Sequence, residues 1–192
     1  MILVAGLGNP GARYAEHRHN LGFMVVDRVA ERAKSPPWRA KFNAEFAQAE
    51  LAGERVVLVK PQTYMNLSGQ SVRAAAAFFK LAPADVLVVH DELDLPFGDV
   101  RLKLGGGEAG HNGVRSVTQE LGTSDYARLR VGIGRPPPDF RGTGADFVLE
   151  AFAPLERADL DDVIGRAADA VALVVERGVQ VAMNATNQRK KR

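Results

Sequence analysis

The chain has no cysteine among its 192 residues, which excludes disulfides, thiolate metal sites and a cysteine nucleophile together. It has no apolar run near the roughly 20 residues a membrane span needs. The N-terminal MILVAGLGNPG carries no basic segment ahead of its apolar residues, so it does not read as a signal peptide. A reducing cytoplasm is the expected setting. The chain also lacks a strong excess of either charge, with 25 Lys plus Arg against 23 Asp plus Glu, a net of +2. Four of the basic residues are the terminal Arg189, Lys190, Lys191 and Arg192, so the remainder holds 21 basic against 23 acidic residues. A long duplex-binding tract is not implied.

What is present reads as one folded domain. Hydrophobic residues make up 46 % and charged residues 25 %, the balance of a soluble globular protein. A chain this long buries roughly 70 % of its unfolded surface and needs no staples. Between Arg101 and Arg141 seven basic residues face four acidic ones. Such a local strip suits a ligand with a few phosphates, although an ordinary solvated face explains the charge equally well.

Ile2 to Ala5 is a short apolar run entering the glycine-rich GLGNPG, a buried strand leading into a loop. After Asn20, a candidate N-cap, apolar residues at Leu21, Met24, Val25 and Val29 mark a helix that Ser35-Pro36-Pro37 closes. Residues 45–51 and 55–59 form a hairpin around Ala52-Gly53-Glu54. A second helix is expected over 68–81. Val86 to Val89, ending at His90-Asp91, has the continuous apolarity of a strand buried on both faces. A strand at 100–104, a helix at 112–121, a strand at 129–133, a loop over 136–146 and an amphipathic helix over 159–177 complete the pattern, with helix again before the tail. The expected fold is a single-domain α/β three-layer sandwich: a twisted, mixed and mostly parallel sheet flanked by helices. Residues 1–188 form the domain and 189–192 a basic tail.

Several motifs bear on chemistry. Gly6, Gly8 and Gly11 match G-x-G-x-x-G, but the following helix starts near Asn20 rather than inside the motif, so a dinucleotide site is rejected. A phosphate loop fails too, because Gly11 is followed by Ala12-Arg13. The four histidines show no zinc spacing. His19 stands just before a helix, whose positive end is expected to keep it neutral and able to accept a proton; helix-end packing is the other reading. Asp91 follows a buried strand, where an ionised carboxylate must be paired. It either orients an imidazole or caps a turn. Asn9, Asn66 and Asn112 sit in small-residue loops; each could grip a carbonyl or an oxyanion, or cap a turn.

Four longer stretches carry a resemblance: GLGNPGARYAEHRHNLGF (6–23), KPQTYMNLSGQSV (60–72), HDELDLPFGDVRLKLGGGEAGHNGVRS (90–116) and RLRVGIGRP (128–136), with AMNATNQ (182–188) behind them. In this order they resemble the bacterial-type peptidyl-tRNA hydrolase family over nearly the whole chain. The resemblance implies hydrolysis of the ester that joins a peptide to tRNA, with recycling of the tRNA. It implies His19 as general base, Asp91 holding that imidazole, and Asn9, Asn66 and Asn112 positioning carbonyl, water and oxyanion. It implies Tyr14 and Met65 as crevice lining, His111 as a residue that helps close it, and Lys103 and Arg130 as the grip on the tRNA 5′-phosphate region, supported by Arg101, Arg128 and Arg141. No metal or other cofactor is expected, the partner is peptidyl-tRNA, no membrane is involved, and the protein is expected to be a monomer. A non-catalytic RNA-binding relative on the same fold is the alternative. His17 departs from the family pattern, which usually has Thr there; a second imidazole is expected to broaden the acid limb of the pH–rate profile.

Overall fold

The N-terminal apolar run becomes β1 (Ile2–Gly6), the middle strand of a seven-stranded sheet in a computed structural model that describes residues 1–188. In chain order there follow α1 (Leu21–Arg32), β2 (Arg39–Lys41), β3 (Ala44–Leu51), β4 (Glu54–Pro61) and α2 (Ser68–Phe78). Then come β5 (Val86–Glu92), β6 (Val100–Leu104), α3 (Asn112–Leu121), β7 (Ala127–Gly132), α4 (Gly144–Val148), α5 (Pro154–Arg177) and α6 (Val179–Thr186). The sheet order is β2-β3-β4-β1-β5-β7-β6. Strands β4, β1, β5 and β7 run parallel at the centre, while the β2–β3, β3–β4 and β7–β6 pairs are antiparallel.

Each central strand feeds two cores, because successive side chains point to opposite faces. Val4, Leu87 and Val89 join the core under α1 and α5, while Leu3, Ala5, Val86 and Val88 join the one under α2 and α3. All seven residues of β5 are buried, as its continuous apolarity requires. The three-layer sandwich with a mixed sheet is therefore present. The basic residues at 189–192 lie outside the described residues.

Four features differ from the expectation. Strand β2 carries three exposed residues with no apolar signal. Within the expected 136–146 loop, Thr143 caps α4 by accepting the Asp146 N–H at 3.3 Å. Helix α5 begins five residues early at Pro154, where the Glu156 carboxylate accepts the Ala153 N–H at 2.9 Å. Asn20 precedes α1 but makes no side-chain cap; its amide is engaged elsewhere.

Gly22, the second residue of α1, acts through closeness of packing. A Cβ on Gly22 would sit 2.4 Å from the Val89 carbonyl oxygen and 2.5 Å from the Leu7 nitrogen. Helix α1 thus starts directly against the ends of β1 and β5. That contact brings the segment just before the helix to the carboxyl edge of the sheet, where open α/β folds place their sites.

Candidate active site

The chemistry-bearing residues converge where β1, β4 and β5 end. Asn9 follows β1, Met65 and Asn66 lie in a 3₁₀ turn after β4, Asp91 lies in β5, His19 lies in the 3₁₀ turn before α1, and His111 caps α3. They come from five separate stretches of sequence, brought together by the parallel crossovers.

Asp91 is the centre. Its side chain is 1 % exposed and accepts from both imidazoles. His19 Nδ1 donates at 2.9 Å to Oδ2 and 3.0 Å to Oδ1, and His111 Nε2 donates at 2.8 Å to Oδ1. Burial alone would raise the Asp91 pKa, but the two histidines hold it far below the usual carboxylate range. For His19, burial lowers the pKa, yet the Asp91 charge and hydrogen bond outweigh it and the net direction is up. The expectation that the helix end keeps His19 neutral is therefore corrected: a carboxylate within bonding distance outranks a helix dipole.

With Nδ1 committed to Asp91, His19 Nε2 is the atom left to face a reactant. It has no hydrogen-bond partner among the described residues, and the side chain keeps 13 % exposure. This is the arrangement of an oriented general base.

Asn20 supplies the second device. Its Oδ1 accepts the Asn9 N–H at 2.9 Å and its Nδ2 donates to the Asn9 carbonyl at 2.9 Å. Asn9 Oδ1 in turn accepts the Met65 N–H at 2.8 Å, leaving the Asn9 Nδ2 as a fixed donor. Sequence reading missed this role of Asn20, because an Asn ahead of a helix signals a cap and its true partner lies 11 residues back. Met65 is 5 % exposed and its sulfur borders Gly113, where a Cβ would come within 2.5 Å. Asn66 and Asn112, one residue to either side of that contact, are exposed, with no side-chain hydrogen bond among the described residues.

Other predicted site residues fall nearby or are redirected. Tyr14 is half-buried and packs edge-on against His17 at 5.5 Å. Arg101, Lys103 and Arg130 share one face of the β6–β7 ribbon, since Arg101 pairs with Arg130 and Lys103 with Arg128. Arg130 is also the β7 partner of His90 and has a Glu92 carboxylate oxygen 3.6 Å away. Arg128 is different: it is 1 % exposed, and its guanidinium donates to the carbonyls of Gly107 at 2.5 Å and Ser124 at 3.3 Å. It holds the glycine loop rather than facing solvent, which corrects its place among exposed basic contacts. Arg141 is exposed ahead of α4.

His19, Asp91 and His111 are close enough to be considered as metal ligands. Their bonding atoms at 2.8–3.0 Å are nearer than the roughly 3.3 Å that tetrahedral ligands about 2 Å from zinc maintain. His111 Nδ1 accepts the N–H groups of Gly113 and Val114 at 3.1 and 3.2 Å, so its Nε2 carries hydrogen and offers no lone pair. The trio is joined by direct hydrogen bonds. A cleft of about 200 Å³ beside Asn9 and Asn20 contains neither His19 nor Asp91. Its one lysine, Lys60, is already paired with Asp27 at 2.7 Å and Glu45 at 3.0 Å.

The chain is similar to known proteins along nearly its whole length. The family model described as peptidyl-tRNA hydrolase matches residues 3–192. A peptidyl-tRNA hydrolase of Sorangium cellulosum is 54 % identical over 191 residues, covering 100 % of this chain and 86 % of that protein. One of Nocardia farcinica is 53 % identical over 183 residues, covering 95 % and 94 %. The crystal structure of peptidyl-tRNA hydrolase from Acinetobacter baumannii superposes with a TM-score of 0.90 at 38 % identity, covering 99 % of this chain and 96 % of that one.

Proposed function

The chain belongs to the peptidyl-tRNA hydrolase family, hydrolysing the ester between peptide and tRNA, and from that premise we propose how its residues divide the work. His19 Nε2 takes a proton from a water molecule as that water attacks the ester carbonyl. Asp91, bonded to Nδ1 at 2.9 Å, keeps the ring in the correct tautomer and stabilises the imidazolium that forms. The carbonyl oxygen becomes an oxyanion, which the Asn9 amide receives with help from Asn66 or Asn112. Collapse of the tetrahedral intermediate breaks the bond to the ribose oxygen, which leaves with the proton His19 returns. Peptide acid and free tRNA are the products, and no redox step or cofactor enters.

An ester suits this equipment, because a ribose alkoxide leaves more readily than an amine. A positioned base contributes about 10²–10⁴-fold and one oxyanion donor about 10²–10³-fold. Arg101, Lys103 and Arg130 would meet the phosphates near the tRNA 5′ end, selecting tRNA-borne peptides over free esters. The proposed working unit is a monomer acting in the cytoplasm.

The observation that carries the reading is the free Nε2 of His19 opposite its bond to Asp91. The test is release of N-acetyl-amino acid from N-acetyl-aminoacyl-tRNA in the presence of chelator, comparing the parent with His19→Ala. The parent is expected to cleave and the variant to lose at least about 10²-fold. Equal cleavage by both would remove His19 as the base, and an inert parent that still binds tRNA would favour the non-catalytic alternative.

A further inference from the structure

We infer that His111 is a positioning residue for the base: its Nε2–H occupies one oxygen of Asp91 and thereby sets how much of that carboxylate is left for His19. The inference rests on the reading of His19 as the base and deepens it.

The observations concern both ends of the His111 ring. At one end Nδ1 caps α3, accepting the backbone N–H groups of Gly113 and Val114 at 3.1 and 3.2 Å. Helix N-caps are usually Ser, Thr, Asp or Asn, whose short side chains end at the cap. An imidazole has a second nitrogen. Because Nδ1 is used as an acceptor, the proton is on Nε2, and that nitrogen donates to Asp91 Oδ1 at 2.8 Å. Two backbone dipoles at the positive end of α3 polarise the ring and strengthen the Nε2–H as a donor. The helix terminus and the catalytic carboxylate are thus joined through one side chain.

The ring is also clamped sideways. It lies between His19 and His90, each with its centroid 4.8 Å away. His90 is fixed in turn, its Nδ1–H donating to the Asp91 main-chain carbonyl at 2.7 Å. The charged groups facing this trio are Glu92 from β5 and Arg128 from β7. Neither bonds to the Asp91 carboxylate, which is shared by His19 and His111 alone among the described residues.

The direction of the effect follows. Taking away the Nε2–H donor leaves more carboxylate charge for His19. The imidazolium is then favoured further, and the base stays protonated to a higher pH. Two substitutions separate this from helix capping. His111→Asn retains a cap acceptor but is too short to reach Asp91. His111→Gln places an amide N–H toward Asp91 and forfeits the cap.

Thermal melting and the pH dependence of kcat/KM on N-acetyl-aminoacyl-tRNA are measured for both. His111→Asn is expected to melt near the parent and to move the acid limb up by about half to one pH unit. His111→Gln is expected to melt lower with its acid limb in place. An unmoved limb in the Asn variant, or equal movement in both, overturns the inference. Nitrogen-15 NMR of the unmodified protein gives a readout that needs no variant: the neutral His111 ring is expected to carry its proton on Nε2, and a proton on Nδ1 overturns the proposal. That result does not depend on His19→Ala, so failure of the base assignment and failure of this inference are distinguishable.

Discussion

Asn20 and Asn9 are joined by two hydrogen bonds of 2.9 Å, the side-chain amide of one closing on both main-chain polar groups of the other. Asn20 directly follows His19 in the chain. The proposed base and the residue proposed to receive the oxyanion are therefore tied into one bracket.

That bracket makes Asn20 a sensitive position. Asn20→Ala leaves the buried Asn9 N–H and C=O unpaired, a penalty of about 1–3 kcal/mol for each group. Asn20→Asp keeps the acceptor but sets a carboxylate against the Asn9 carbonyl. Both variants are expected to lose kcat more than KM changes, and Asn20→Ala to unfold at lower urea. Unaltered kcat in both would show that the bracket has no part in the reaction.

Asp91 sets the position of the acid limb. In the parent, activity is expected to rise as His19 loses its proton, at a pH above the ordinary 6.5 because Asp91 stabilises the imidazolium. Asp91→Asn removes that charge and leaves burial dominant. The limb should then move to lower pH while the plateau falls by about 10²–10⁴-fold. A limb that moves upward would contradict the assignment.

His90 should govern stability in acid. Its ring is fully buried, and burial first, then the neighbouring His111, lower its pKa from 6.5 to about 3. Between those values the unfolded chain binds the proton and the folded one does not, so this residue removes stability as pH falls from 6.5 toward 3, by about 1.4 kcal/mol per pH unit. His19 has the opposite sign: its contribution is full below 6.5 and is lost as pH rises through its raised folded value. Urea unfolding at pH 7 and pH 5 is expected to show a smaller loss for His90→Gln than for the parent. Equal losses would place the acid sensitivity elsewhere.

The basic ribbon should act on affinity alone. Arg130→Ala and Lys103→Ala are each expected to raise KM with kcat nearly unchanged, and to reduce the salt dependence of binding by roughly one counterion. Arg128→Ala should behave differently, lowering stability because its guanidinium holds Gly107 and Ser124. A stable Arg128→Ala protein with raised KM would return Arg128 to the contact surface.

The legible parts of the sequence were those whose signal is local. Val86 to Val89 announces a central strand by continuous apolarity, and β5 is buried throughout. Arg39–Lys41 has no such signal and pairs only because β3 lies beside it. Thr143 and Asp146 do carry a readable capping pattern, hidden by the three prolines before them. The residues proposed for catalysis stand in long motifs, but their electrostatics were not readable there. The direction of the His19 shift depends on Asp91, 72 residues away, and the burial of Arg128 depends on loops that cover it. Local pattern locates residues, whereas sign and partner come from the tertiary contacts.

Strand β7 comes last of the seven in the chain yet lies between β5 and β6. During synthesis β6 is made first and has no place to pair until β7 has been inserted beside β5. By residue 112 every proposed hydrolytic group has been made, but the face carrying Arg101, Lys103 and Arg130 exists only after residue 132 closes the sheet. A growing copy of this chain is itself a peptide on tRNA, and its topology withholds the surface proposed to hold tRNA until the sheet is whole.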